Sequence, residues 1–172
     1  SMLPRIKQLM ADDIDDFFPQ LQQLCADCGI KLVSTKCLPK APISGATRWI
    51  NDTPIIQLSN RYKRYDIFWF NFFHELGHIL LHGKKEIFLE KAGCFDQDII
   101  KEQEADKFAA NQLLSQSEEQ AIIDSGDYSV KAVKSAALKY GTHPSIIVGR
   151  LQHIKAIDYW QDQSLLKSIS LN

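Results

Sequence analysis

The sequence predicts an α+β fold, mainly helical, with one small antiparallel sheet. Long stretches repeat apolar residues with a helical period and end in glycine or a polar cluster. Three short β-rich segments, "IKLVST", "ATRWI" and "PIIQLS", follow one another before residue 60, separated by turn-forming residues. With 172 residues, 45% hydrophobic and 24% charged, the chain has the size and composition of one globular domain, read here as spanning 1–172.

Taken in order, "DDIDDFFPQLQQLCADCG" begins acidic and ends in glycine. Negative charge suits a helix N-terminus and Gly29 a C-terminal stop, so a helix is expected over about residues 11–28, with Pro19 in or near its first turns. The three β segments come next, with "PKAPISG" as a loop before "ATRWI" and "NDTP" as the turn before "PIIQLS". From Arg64 the pattern is helical to about His82, and Gly83 ends it. "DIIKEQEADKFAANQLL" is a second strongly periodic helix. "SQSEEQAIIDSG" and "SVKAVKSAALKYG" each read as a helix closed by glycine, and "HPSIIVGRLQHIKAI" places Pro144 near a helix start, where proline is tolerated. The tail, Asp158 to Leu171, is weakly amphipathic.

Bulk properties narrow the function. A net charge of −1 gives no global field for nucleic acid or an anionic membrane, so direct nucleic-acid binding is not expected. No run of about 18 apolar residues suggests a membrane span, and no cationic-then-apolar leader opens the chain. The expected setting is the cytoplasm. Cys25 and Cys28 form a C-x-x-C pair, while Cys37 and Cys94 stand apart. With no second such pair and no surrounding βαβ pattern, reduced thiols at a helix end are the expected reading.

The informative stretch is "WFNFFHELGHILLHGKK", where His74, Glu75, His78 and His82 interrupt an apolar run. Buried polar groups need partners, and the partner expected is a metal ion. On a helix, His74 and His78 differ by only ~40° around the axis and by one turn of rise, so both imidazoles can reach one ion. Glu75 lies ~100° from His74, close enough to act on water at the metal but badly placed to ligate. Ile67, Phe70 and Leu81 fall on the histidine face, which would set the site against the core, and Gly77 leaves room for another element. His82 reads as a helix-end residue complementing the dipole.

A third protein ligand must come from elsewhere, and "KEQEADKFAANQLL" offers Glu102 and Glu104. With Glu102 at zero angle, Ala105, Asp106, Ala109 and Leu113 lie within about 60° of it, whereas Glu104 falls near 200°. Glu102 is therefore the favoured ligand and Glu104 the alternative. Asp106, one turn past Glu102, can accept the other ring N–H of a ligating histidine. Histidine and carboxylate ligands favour zinc, although such a set holds other divalent ions too.

"FHELGHILLHGKK" followed by "EQEADKFAANQLL", together with "APISGATRWI", "PIIQLSNRYKRYDIFWF" and "HPSIIVGRLQ", resembles the ImmA/IrrE family of metallopeptidases over roughly residues 36–155. The resemblance implies a gluzincin-like fold, with a short antiparallel sheet beside the H-E-x-x-H helix. It implies Zn2+ held by His74, His78 and a glutamate of the second helix, with Glu75 as catalytic base. It also implies a protein substrate, an Xre/Cro-type repressor or an antitoxin, in a phage or toxin–antitoxin setting of transcription regulation. Some members carry a helix-turn-helix module on the same chain, and the style of "APISGATRWI" and "IIVGRLQ" is closest to those. No such module is visible here, so an isolated catalytic domain is expected. Where the family often has proline after the second motif's Leu-Leu, this chain has Ser115.

The implied chemistry is zinc-assisted peptide hydrolysis, with an oxyanion donor sought in "KYGTHPSIIVGR": His143 first, then Tyr140 and Arg150. The strand "ATRWI" could pair with an extended substrate. The alternative is a non-catalytic regulatory or binding domain that keeps zinc for structure or sensing. Glu75 separates the two readings, because structural zinc needs no general base.

Overall fold

The computed structural model describes residues 2–35, 44–59, 63–84 and 95–171. Cys37, Cys94 and most of the "PKAPISG" loop lie outside these residues. The chain opens with a helical hairpin, α1 (Met2–Ala11) and α2 (Phe17–Ala26), where one helix over 11–28 was expected. The break falls at the aspartate cluster. Asp13 takes a left-handed φ of 55°, and short acidic side chains favour turns over helix interiors. The signal for α1 was present: Ile6, Leu9 and Met10, three and four apart, are all buried. Pro19 sits in the first turn of α2.

Strands β1 (Lys31–Thr35), β2 (Gly45–Ile50) and β3 (Thr53–Ser59) form a sheet of order β1-β3-β2. β2 and β3 make an antiparallel hairpin, but β1 runs parallel to β3, from Lys31 opposite Ile55 to Thr35 opposite Ser59. The sheet is thus mixed rather than antiparallel throughout. Burial explains the order: Pro54, Ile55, Ile56 and Leu58 are all buried, so β3 takes the centre, whereas β2 alternates and suits an edge. The direction of β1 depends on how the chain returns to the far side of β3, which side-chain alternation does not encode.

Helix α3 (Tyr65–Gly77) buries Tyr65, Phe68, Trp69, Phe72, Phe73 and Leu76 in the main core, shared with the hairpin and the sheet. The chain then widens into a π-helical turn, His78–His82, ended at Gly83. Helix α4 (Phe95–Leu113) packs closely along α3. Their crossing point is made of small residues. A Cβ on Gly77 would lie 3.1 Å from Phe108 Cδ1 and 3.3 Å from the Ala105 Cα, and Ala105 and Ala109 are fully buried. Small against small brings the two backbones together, so side chains flanking the crossing can reach one point.

Helices α5 (Gln116–Ser125), α6 (Val130–Tyr140) and α7 (Pro144–His153) enclose a second core around Ile122, Val133, Ile147, Val148 and Leu151. Ser115 caps α5: its hydroxyl accepts from the Glu118 N–H, and Glu118 accepts from the Ser115 N–H at 2.7 Å. A serine in place of proline thus starts the next helix. The tail folds back on α3, with the Tyr65 N–H donating to Lys167 O at 2.9 Å and Arg64 bridging Ser168. Among the described residues no helix is long and apolar enough to cross a membrane.

Candidate metal centre

His74 occupies the last turn of α3, and His78 follows Gly77 at the start of the π-helical turn. The two Nε2 atoms lie 3.0 Å apart. Across the crossing, Glu102 of α4 places Oε2 3.2 Å from His74 Nε2 and Oε1 3.3 Å from His78 Nε2. Ligand atoms about 2.0–2.1 Å from a tetrahedral zinc ion stand about 3.3 Å from one another, so the three donors fit one such ion. Their chemistry fits as well. A carboxylate accepts only, and two imidazole nitrogens with bare lone pairs beside it make a donor set suited to a divalent cation. Glu102 remains 61% exposed, which leaves the outer side of the cluster open to solvent.

Asp106, one helical turn on, receives a hydrogen bond from His74 Nδ1 at 2.8 Å. The proton therefore sits on Nδ1, and Nε2 turns its lone pair toward the cluster. Glu104 is elsewhere: its carboxylate lies 3.0 Å from His82 Nε2 and does not join the three converging donors.

Glu75 is 7% exposed and faces β2. The Thr47 hydroxyl donates to Glu75 Oε2 at 2.7 Å and lies 3.1 Å from the Glu75 backbone carbonyl. Gly45, on the same face of β2, leaves space for the other oxygen, since a Cβ there would lie 2.6 Å from Glu75 Oε1. Burial raises the Glu75 pKa, Thr47 and His74 pull it down, and Glu102 raises it. The result is a carboxyl group with its pKa above the ordinary range, aimed by a strand and held near His74.

The family model for the IrrE N-terminal-like domain, a peptidase family, matches residues 25–151. The chain belongs to this family. No curated protein matches it. In this IrrE-like domain the matched span runs from the end of α2 to the end of α7, so it holds the sheet, both metal-centre helices and the second core. The chain is accordingly a member of a metallopeptidase family with a mainly helical α+β fold.

Not every side chain singled out in the sequence of the IrrE-like domain reaches the centre. His143 does not, which corrects its assignment as an oxyanion donor. Its Nδ1 accepts the Ser145 N–H at 3.0 Å and caps α7, and its Nε2 lies 3.1 Å from Asp13. Its ring packs on Tyr65, with centroids 4.7 Å apart. Tyr65 precedes His74 by about two and a half turns of α3, roughly 13 Å along the axis. Arg150 is paired with Glu119, and Tyr140 has Lys139 over its ring. Leu81, expected on the core face, is 50% exposed, because the π-helical turn shifts the phase after His78. Cys25 is buried with its thiol pushed up to about 12, chiefly by burial and then by Cys28, which leaves Cys25 a poor nucleophile.

Two partners escaped the sequence. Thr47 had a weak signal, since alternation in "GATRWI" puts Thr47 and Trp49 on one face, but nothing in the pattern says that this face meets Glu75. His82 had a stronger one, standing four residues after His78.

Proposed function

We propose that this chain is a zinc-dependent endopeptidase acting on a protein partner, an Xre/Cro-type repressor or antitoxin. The supporting observation is the convergence of His74 Nε2 and His78 Nε2, 3.0 Å apart, on the Glu102 carboxylate, whose Oε2 lies 3.2 Å from the first and Oε1 3.3 Å from the second, beside the buried Glu75. His74, His78 and Glu102 would hold the ion. When bound, zinc supplies Lewis acidity, which acidifies water and polarises a peptide carbonyl.

The chain's own groups do the rest. Glu75 takes the proton of the attacking water and returns it to the leaving amine, a role helped by the rise in its pKa on burial. Thr47 fixes one carboxylate oxygen, so the other is free for that transfer. β2 is the edge of the sheet nearest Glu75 and pairs only with β3 among the described strands, so its outer side offers unpaired backbone groups to an extended peptide. Such pairing would lay a substrate along the cluster without demanding a particular side chain.

The test compares wild type with Glu75→Gln on a purified repressor encoded beside this gene, with and without a chelator, by mass spectrometry. The expected outcome is cleavage by wild type alone, lost on chelation, with zinc binding retained in Glu75→Gln. Equal cleavage by both proteins removes this reading.

A further inference from the structure

Beyond the three donors, the cluster continues on one side as a chain of contacts. His78 Nδ1 lies 3.1 Å from His82 Nδ1, and His82 Nε2 lies 3.0 Å from Glu104 Oε2. The His82 side chain is 8% exposed, so these two contacts take up both of its nitrogens with little water nearby.

We propose that His82 and Glu104 are positioning residues that set the tautomer and orientation of His78, as Asp106 does for His74. The proposal rests on the metallopeptidase reading above. The directions of the hydrogen bonds follow from Glu104. A carboxylate only accepts, so His82 Nε2 carries the proton and donates to it. In the neutral ring His82 Nδ1 is then bare and must accept, so His78 donates from Nδ1. That leaves His78 Nε2 bare, turned toward His74 Nε2 and Glu102. Glu104 thus fixes through one intervening ring what Asp106 fixes directly at 2.8 Å.

The backbone gives a second, independent support. Residues 78–82 form a π-helical turn, with the Gly83 N–H donating to His78 O at 3.2 Å and Gly83 at φ 65°. Single π turns are uncommon and cluster at functional positions. Here the turn spans His78 to His82, so the irregular piece of helix is the one that carries both rings. It also carries His82 to the side of α4 where Glu104 stands, away from Glu102.

The experiment measures zinc affinity by competition with a chromophoric chelator on the full chain, with folding checked by circular dichroism. The variants are His82→Phe, His82→Gln, Glu104→Ala and the double variant His82→Phe/Glu104→Ala. His82→Phe is expected to weaken zinc binding on the order of 10- to 100-fold. His82→Gln, whose amide keeps one acceptor and one donor, is expected to recover part of that loss. Glu104→Ala should weaken binding less than His82→Phe, and the double variant no more than His82→Phe alone, since one chain is cut in each. Cobalt-substituted protein should show an altered visible spectrum in His82→Phe. Wild-type affinity in folded His82→Phe overturns the proposal. So does wild-type affinity in Glu104→Ala, an exposed site that leaves the core untouched, should His82→Phe fail to fold. Absence of zinc binding by wild type is distinguishable from both and overturns the metal centre itself.

Discussion

Thr47 on β2 donates a hydrogen bond of 2.7 Å to Glu75 on α3, and that contact joins the sheet to the proposed chemistry. The same strand face carries Gly45, close against the other carboxylate oxygen. A hydrogen bond to a charged group contributes roughly 1.5–3 kcal/mol. Thr47→Val keeps the shape and removes the donor. Its kcat on the substrate is expected to fall about 10- to 100-fold, with zinc affinity unchanged because no ligand is touched. Gly45→Ala should act the same way by displacing the carboxylate. Steady-state kinetics beside a zinc titration separates the two effects, and a parallel loss of zinc would assign Thr47 to the metal instead.

The His74–Asp106 contact makes a complementary prediction. Asp106 is 58% exposed, so removing it costs little folding free energy. The His74 ring then loses its anchor. Asp106→Ala should bind zinc about 10- to 100-fold more weakly than wild type, while the metal-free protein unfolds at nearly the same urea concentration. Unchanged affinity would mean that packing against Phe70, whose ring centroid is 6.3 Å from that of His74, suffices to hold the ring.

The parts of this structure legible in the sequence are those that depend on spacing along one helix. The one-turn spacings of His74 to His78 and of Glu102 to Asp106 follow from a helical period; Glu102 and Asp106, expected on the buried face with Ala105 and Ala109, stand exposed at its edge. Across-chain relationships were not legible. Thr47 meets Glu75 only because β2 lies beside α3, and no residue in either segment announces it. His143 misled for a related reason: its short link to a helix start reads equally as a cap and as a donor, and only Asp13, far away in sequence, decides between them. The π-helical turn is invisible in the sequence because a regular period predicts continued α-helix, which puts Leu81 on the wrong face and offers Glu104 only as the alternative ligand.

Gly77 tests the crossing of α3 and α4. Replacing glycine by alanine inside a helix gains up to about 1 kcal/mol of helix propensity. Against that stands a Cβ 3.1 Å from Phe108 and 3.3 Å from the Ala105 Cα, where the phenyl ring can yield and the backbone cannot. Gly77→Ala should therefore change stability by less than about 1 kcal/mol. Gly77→Leu cannot be absorbed, and should destabilise by about 1–3 kcal/mol and separate Glu102 from the imidazoles. Urea denaturation with a zinc titration would check both. A Gly77→Leu protein with wild-type stability and affinity would mean that the helices do not meet there.

His143 gives the pH dependence of folding a definite sign. Burial lowers its pKa, and Asp13, which pulls it up, only partly offsets this; Lys167 adds to the lowering. Tyr65 covers the ring and Ser145 donates to it. Unfolded histidine titrates near 6.5, so as the pH drops below that value the unfolded chain takes up a proton first and stability is lost until the folded value is passed. Asp13 itself is held below its ordinary value, because Lys167 and His143 outweigh its burial, so its contribution disappears only in stronger acid. His143→Asn keeps a good helix cap and removes the titration. Between about pH 7.5 and pH 5.5, a window that brackets the ordinary histidine value, the zinc-free wild type should lose more stability than His143→Asn. The other histidines are common to both proteins and cancel in that comparison. Equal losses, measured by urea denaturation at the two pH values, would mean that His143 titrates alike in the folded and unfolded chains.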